Sequence, residues 1–281
     1  MNSPKTLDSL VEAQATWAAR RWPGHVGRRA PSLDDNLICP LSVEVRREFE
    51  AGSGGEVGRD GKAGKMSSLR SSSALSYYVF APWRGRELQT LAAALQTTLI
   101  SRSLRFEQKY RHGLRTTPPN IDVVLDDEVP QPVGVECKFT EPYGKKASHR
   151  PLDPKYFAGR RSRWAELDLP ACQALAVSIG STTSFRRLAA GQLLKHLLGL
   201  ARTTRNVPRL RYVWFDAQCT EALEHRAEVE RFAEQIDPLI DFAAITYQDL
   251  IVGLSSGPEP IPGYHAYLKD RYFGASIGPT R

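Results

Sequence analysis

NIDVVLDDEVPQPVGVECKFT, residues 120–140, decides the fold. Its two ends, IDVVLDD (121–127) and VGVECKFT (133–140), are short runs rich in β-branched residues. Pro130 and Pro132 lie between them, so the pair reads as two antiparallel strands joined by a hairpin. Side chains alternate faces along a strand, so Val135, Cys137 and Phe139 share an apolar face and Glu136 and Lys138 share the other. Asp122, fourteen residues before Glu136, projects to the same side across the hairpin. Two neighbouring carboxylates repel each other and require something to neutralise them. A hard divalent cation does so, and magnesium is commonly held by one or two carboxylates plus water and phosphate oxygens. A lysine beside it can stabilise developing negative charge on a phosphate or help activate water. A solvated strand face with a cross-strand ion pair is the alternative.

Working outward, LRFEQKY (104–110) reads as a strand before the hairpin, RLRYVWFDA (209–217) as one after it, and FAAITYQDLI (242–251) as a last strand. Helices are expected at 5–21, at 41–50, from the serines at 71–73 through ALSYYVF until Pro82, at 84–101 along Leu88, Leu91, Leu95 and Leu99, at 183–201, and at 221–236. The helix at 183–201 is apolar around most of its circumference, which predicts burial. In residues 51–73, 12 of 23 residues are Gly or Ser, which predicts a flexible loop. GRDGKAGKM within it fails the register of a phosphate-binding loop. Residues 141–182 read as a long irregular insertion. A mixed α/β sheet flanked by helices follows.

The net charge of +7 and pI near 9.3 favour an anionic partner such as nucleic acid. Residues 144–163 carry seven Lys or Arg, including Lys145, Lys146, Arg150, Arg160, Arg161 and Arg163, against the single acid Asp153. Tyr156, Phe157 and Trp164 lie nearby, and such clusters suit phosphate contact and base stacking. The four cysteines form no CxxC pair, which argues against a zinc or redox motif. The N-terminus lacks a signal-peptide core and no apolar run reaches membrane-span length, so a cytoplasmic, non-membrane protein is expected. His225 and Glu228 read as solvated helix surface rather than metal ligands, for want of a third ligand.

Asn120-Ile121-Asp122 followed by Val135-Glu136-Cys137-Lys138 resembles the PD-(D/E)XK nuclease signature, with Asn-Ile-Asp replacing Pro-Asp. The resemblance extends over roughly 50–235, through KMSSLRSSSAL and AAGQLLKHLLGL, towards an uncharacterised bacterial restriction-endonuclease-like branch. It implies a restriction-endonuclease-like αβββαβ core and a magnesium-dependent endonuclease, with manganese as a substitute. DNA is the expected partner, with RNA open and a homodimer compatible. Asp122, Glu136 and the main-chain carbonyl of Cys137 would hold the metal, and Lys138 would act in catalysis. The resemblance also implies that 51–73 packs on the domain. Gln192 and His196 are similar to the QxxxY motif of exonuclease-like members, with His for Tyr, and make Gln192 a site candidate. A further acid is expected from Glu107 or Glu87, with Glu107 preferred and Glu141 the weakest candidate. The expected organisation is a helical and flexible extension over 1–73, the nuclease-like domain over 74–255 with its basic insertion at 141–182, and a tail over 256–281. A catalytically weak nucleic-acid-binding module on the same fold is the competing function.

Overall fold

The computed structural model describes residues 7–59, 61–99, 103–126, 131–144, 151–157 and 163–273. Helices α1 (Leu7–Arg21) and α2 (Val43–Ala51) precede a two-stranded ribbon, β1 (Gly58–Arg59) and β2 (Lys62–Ala63). Helices α3 (Ser72–Phe80) and α4 (Gln89–Ala94) follow, then strands β3 (Ser103–Lys109), β4 (Asn120–Asp126) and β5 (Val133–Lys138). Next come α5 (Pro170–Ser178), α6 (Ala190–Thr204), β6 (Arg209–Trp214), α7 (Thr220–Gln235) and β7 (Asp241–Thr246). Helices α8 (Tyr247–Leu254) and α9 (Tyr264–Leu268) lead to a π-helical turn at Lys269–Phe273.

Strands β3 to β7 form one sheet in sequence order. The β3–β4 and β4–β5 pairs are antiparallel, and β5–β6 and β6–β7 are parallel, with α6 and α7 as the crossovers. This mixed sheet flanked by helices is compatible with a restriction-endonuclease-like core. Alternation sorts the core into two layers. Val123, Leu125, Val135 and Cys137 pack with α2, α3, α4, α8 and α9. Val124, Leu210, Tyr212 and Trp214 pack with α5, α6 and α7.

Several elements differ from their sequence reading for identifiable reasons. The helix expected over 84–101 shrinks to α4, although Leu88, Leu91, Leu95 and Leu99 are all buried. Gln96 adopts a left-handed φ of 52°, and the amides of Gln96 and Thr97 turn back to the carbonyls of Ala93 and Ala92, which closes the helix end. The Gly/Ser-rich stretch does not hang free. Met66 and Leu69 are buried, and Met66 shares a core layer with Val45 and Phe49. Composition suggested a loop because about half the residues are Gly or Ser, yet two well-placed apolar residues suffice to anchor it. Within 141–182, α5 is a regular helix; Pro170 opens it, and the Asp237 carboxylate accepts the amides of Ala171 and Cys172 at 3.1 and 2.9 Å. The last strand stops at Thr246, whose hydroxyl accepts the Asp249 amide at 3.0 Å and starts α8. The tail residues Tyr264, Leu268 and Tyr272 belong to the same core layer as α3 and α4.

Candidate active site

Glu136 and Lys138 project from β5 on the face that meets α6, and β4 lies alongside. Val123 pairs with Val135 and Val124 with Gly134, so the register carries Asp122 opposite Glu136. Glu136 is fully buried. Its carboxylate forms an ion pair with the Lys138 ammonium through Oε1, and its Oε2 lies 2.9 Å from His196 Nε2 of α6. That second approach is close but off-axis, since neither atom completes a hydrogen bond. Burial alone would raise the Glu136 carboxyl, but Lys138 and then His196 overcome it and hold it below the usual carboxylate range.

Asp122 behaves in the opposite way. Burial, then the charge of Glu136, push its carboxyl well above the ordinary range, although Lys138 and the Cys137 amide work against this. That amide donates to Asp122 Oδ2 at 2.7 Å. Asp122 keeps partial exposure and is reachable from outside. Burial should lower the Lys138 ammonium, yet Glu136 and Asp122 raise it well above its ordinary value, so it stays charged. The Cys137 carbonyl accepts the Ser72 hydroxyl at 3.0 Å, which ties the start of α3 to the site.

Glu107 sits opposite Asp122 on β3, between the pairs Phe106–Val123 and Gln108–Ile121. It is buried, has a left-handed φ of 53° and accepts the Asn120 side-chain amide. Burial, then Glu56 and more weakly Glu136, push its carboxyl up to about 7 against the Asn120 bond. A Cβ on Gly52 would lie 2.8 Å from Glu107 Oε2, so the chain there must be bare for this approach. Glu56 is also buried, with Lys65 at 3.5 Å. Sequence reasoning missed Glu56, because it lies in the Gly/Ser-rich stretch with no local periodicity around it.

The other candidates are placed elsewhere. Glu87 is exposed and accepts the Gln89 amide at 3.0 Å. Glu141 caps the end of β5 by accepting the Phe139 amide at 2.8 Å. Gln192 lies one turn before His196 and lines a neighbouring cleft; His196 is the member of that pair that reaches Glu136. Lys145, Lys146, Arg150, Arg160 and Arg161 fall outside the described residues, while Arg163 is described and partly buried. Tyr156 and Trp164, read as rings for base stacking, are buried in the α5–α6 core layer, where bases have no access. His225 and Glu228 are buried rather than solvated: His225 meets the Tyr212 hydroxyl at 2.8 Å, and Glu228 accepts backbone amides at 186–188. The charged neighbours of α7 hid this, because a helix can bury two polar residues when partners from other elements satisfy them.

A five-stranded mixed sheet flanked by helices is the architecture of a restriction-endonuclease-like core. The chain belongs to the family described as restriction endonuclease associating with ARP, whose model it matches over residues 11–273. No curated protein and no solved structure matches it. No helix among the described residues is long and apolar enough to cross a membrane.

Proposed function

We propose that the protein is a PD-(D/E)XK-type, divalent-metal-dependent nuclease that hydrolyses phosphodiester bonds of DNA as an endonuclease. The observation that carries this reading is the pairing of Asp122 with Glu136 beside a charged Lys138. The first carboxyl is pushed up by burial and by its neighbour, and the second is fully buried with Lys138 at one oxygen and His196 2.9 Å from the other. Such a pair wants a positive centre. Among the described residues no three His, Cys, Asp or Glu side chains gather as a metal site. The set here differs in kind, being two carboxylates and a carbonyl, which suits magnesium because that ion keeps much of its shell for water and phosphate.

Asp122, Glu136 and the Cys137 carbonyl would hold Mg²⁺, or Mn²⁺ in its place. When bound, the metal would lower the pKa of a water and polarise the phosphate. Lys138 pairs with one oxygen of Glu136 and His196 packs against the other, which together orient the carboxylate. Asp122 is fixed by the Cys137 amide and offers its accessible edge. Lys138 carries a charge held in place by carboxylates, ready to face the negative charge that grows on the phosphate. Glu107, opposite Asp122, supplies a carboxyl that exchanges a proton near neutrality.

The test is incubation of plasmid, linear duplex, single-stranded DNA and RNA with the protein, in magnesium or in EDTA. Magnesium-dependent cutting of plasmid supports the reading; binding without cutting in magnesium and in manganese indicates a binding module instead. Lys138→Ala should slow cleavage by about 10²–10³-fold, while DNA and metal binding persist. Wild-type rates in that variant would remove Lys138 from the mechanism.

A further inference from the structure

A cleft of about 530 Å³ opens between the segment ahead of β4 and the start of α6. Thr116 and Thr117 line it ahead of β4, Asp153 and Lys155 from the connection between β5 and α5, and Gln192 and Lys195 from α6. Both walls lead to the candidate active site. The lining residue Pro119 is three positions before Asp122, and Gln192 is four before His196.

Charge in this cleft is unbalanced. Lys155 and Lys195 approach the buried Tyr156 ring, 5.9 and 5.4 Å from its centroid. Asp153 pairs with Lys155 at 2.9 Å, whereas Lys195 has no carboxylate partner among the described residues. His112 packs edge-on to the ring at 5.6 Å; it is buried, and its Nε2 has no hydrogen-bond partner among the described residues. The Arg163 Nε is likewise buried and unpartnered. Burial, then Lys155, lowers the Lys195 ammonium, and burial, then Lys195, Lys155 and Arg163, lowers His112. The two lysines therefore repel each other beside one acid, and with Arg163 they disfavour charge on His112. The lining supplies two ammonium groups, two hydroxyls and one amide, which is a donor set for a tetrahedral oxyanion. Tyr156 serves as a platform for the lysines.

We infer that this cleft seats a backbone phosphate of the DNA strand away from the scissile bond, held by Lys155 and Lys195 with Thr116, Thr117 and Gln192 as neutral donors. The inference rests on the nuclease reading for the identity of the strand. It gives Gln192 a role in holding substrate, one turn from the α6 residue that reaches Glu136.

The experiment measures binding of a labelled duplex to the full chain in EDTA, over a series of salt concentrations. The variants are Lys155→Gln with Lys195→Gln, and the matching pair of Arg substitutions. Two lost phosphate contacts should make the Gln pair bind about tenfold or more weakly and flatten the slope of log Kd against log salt by about 1.8. The Arg pair should restore both. Should the Gln pair fail to give a cooperative melt, Lys155→Gln alone is read, with an expected flattening of about 0.9. An unchanged affinity and slope in a folded variant overturns the inference, as does a wild-type protein that does not bind duplex. Wild type that binds duplex with this signature but never cuts it, with magnesium or manganese, sinks the nuclease reading and leaves the cleft standing. Cutting by wild type with no effect of the Gln pair sinks the cleft alone.

Discussion

Glu107 concentrates two costs in one residue. A non-glycine residue in the left-handed region costs on the order of 1–3 kcal/mol, and its carboxyl is buried next to other acids. Its ordinary value of 4.5 is pushed up to about 7 by burial and then by Glu56. Below pH 4.5 the folded and unfolded chains both hold the proton. Between 4.5 and about 7 only the folded chain keeps it, so stability falls as pH rises through this window, and the loss is complete above it. Glu107→Gln keeps an acceptor for Asn120 and cannot ionise. Melting in EDTA should show the variant level with wild type at acid pH and more stable above neutrality, by on the order of a few °C. Parallel pH profiles would mean that Glu107 does not titrate in this range.

At the scale of elements, α6 owes its start to α7. The segment expected as the first turns of a helix at 183 stays irregular because Glu228 of α7 takes three successive amides. Arg186 donates at 2.7 Å, and Arg187 and Leu188 at 2.8 Å. These bonds fix where α6 begins, and α6 carries His196 to Glu136. Removing the carboxylate leaves partly buried amides unpaired. Glu228→Ala should cost about 2–4 kcal/mol, read from the urea midpoint, and Glu228→Gln should cost less. A loss below about 0.5 kcal/mol, the range of an ordinary surface change, would show that the segment finds other partners.

At the scale of the molecule, both ends of the described chain are tied together by Arg271. It is buried without a carboxylate partner among the described residues. Its Nη1 donates to the Asn36 carbonyl and to the hydroxyls of Tyr78 and Tyr267 at 3.0, 2.7 and 2.8 Å, and its Nη2 donates to Asn36 Oδ1 at 2.6 Å. The guanidinium lies 4.2 Å from the Trp17 ring centroid. One side chain therefore joins α1, the 34–36 turn, α3 and α9. Arg271→Ala should lower stability by about 3–5 kcal/mol in denaturant unfolding, and Arg271→Met should recover part of it by packing alone. An unchanged midpoint would show that the two ends dock through their apolar contacts.

What the amino-acid sequence determined by itself is much of what has a short period, the length of the helix read over 84–101 excepted. Two-residue alternation marked β4 and β5, put Glu136 and Lys138 on one face and carried Asp122 to the same side. Helical spacing marked α1, α6 and α7, and of the serines at 71–73 it is Ser71 that caps α3. What only the tertiary structure decided depends on partners far along the chain. Glu56 joins Glu107 because a Gly-rich ribbon folds back. His196 rather than Gln192 reaches Glu136 because of where α6 crosses β5. His225 and Glu228 are interior because hydroxyl and amide partners arrive from other elements. Periodicity records which face of an element is apolar, whereas the partner of a buried polar group is fixed only when the layers close and leave it no water to bind.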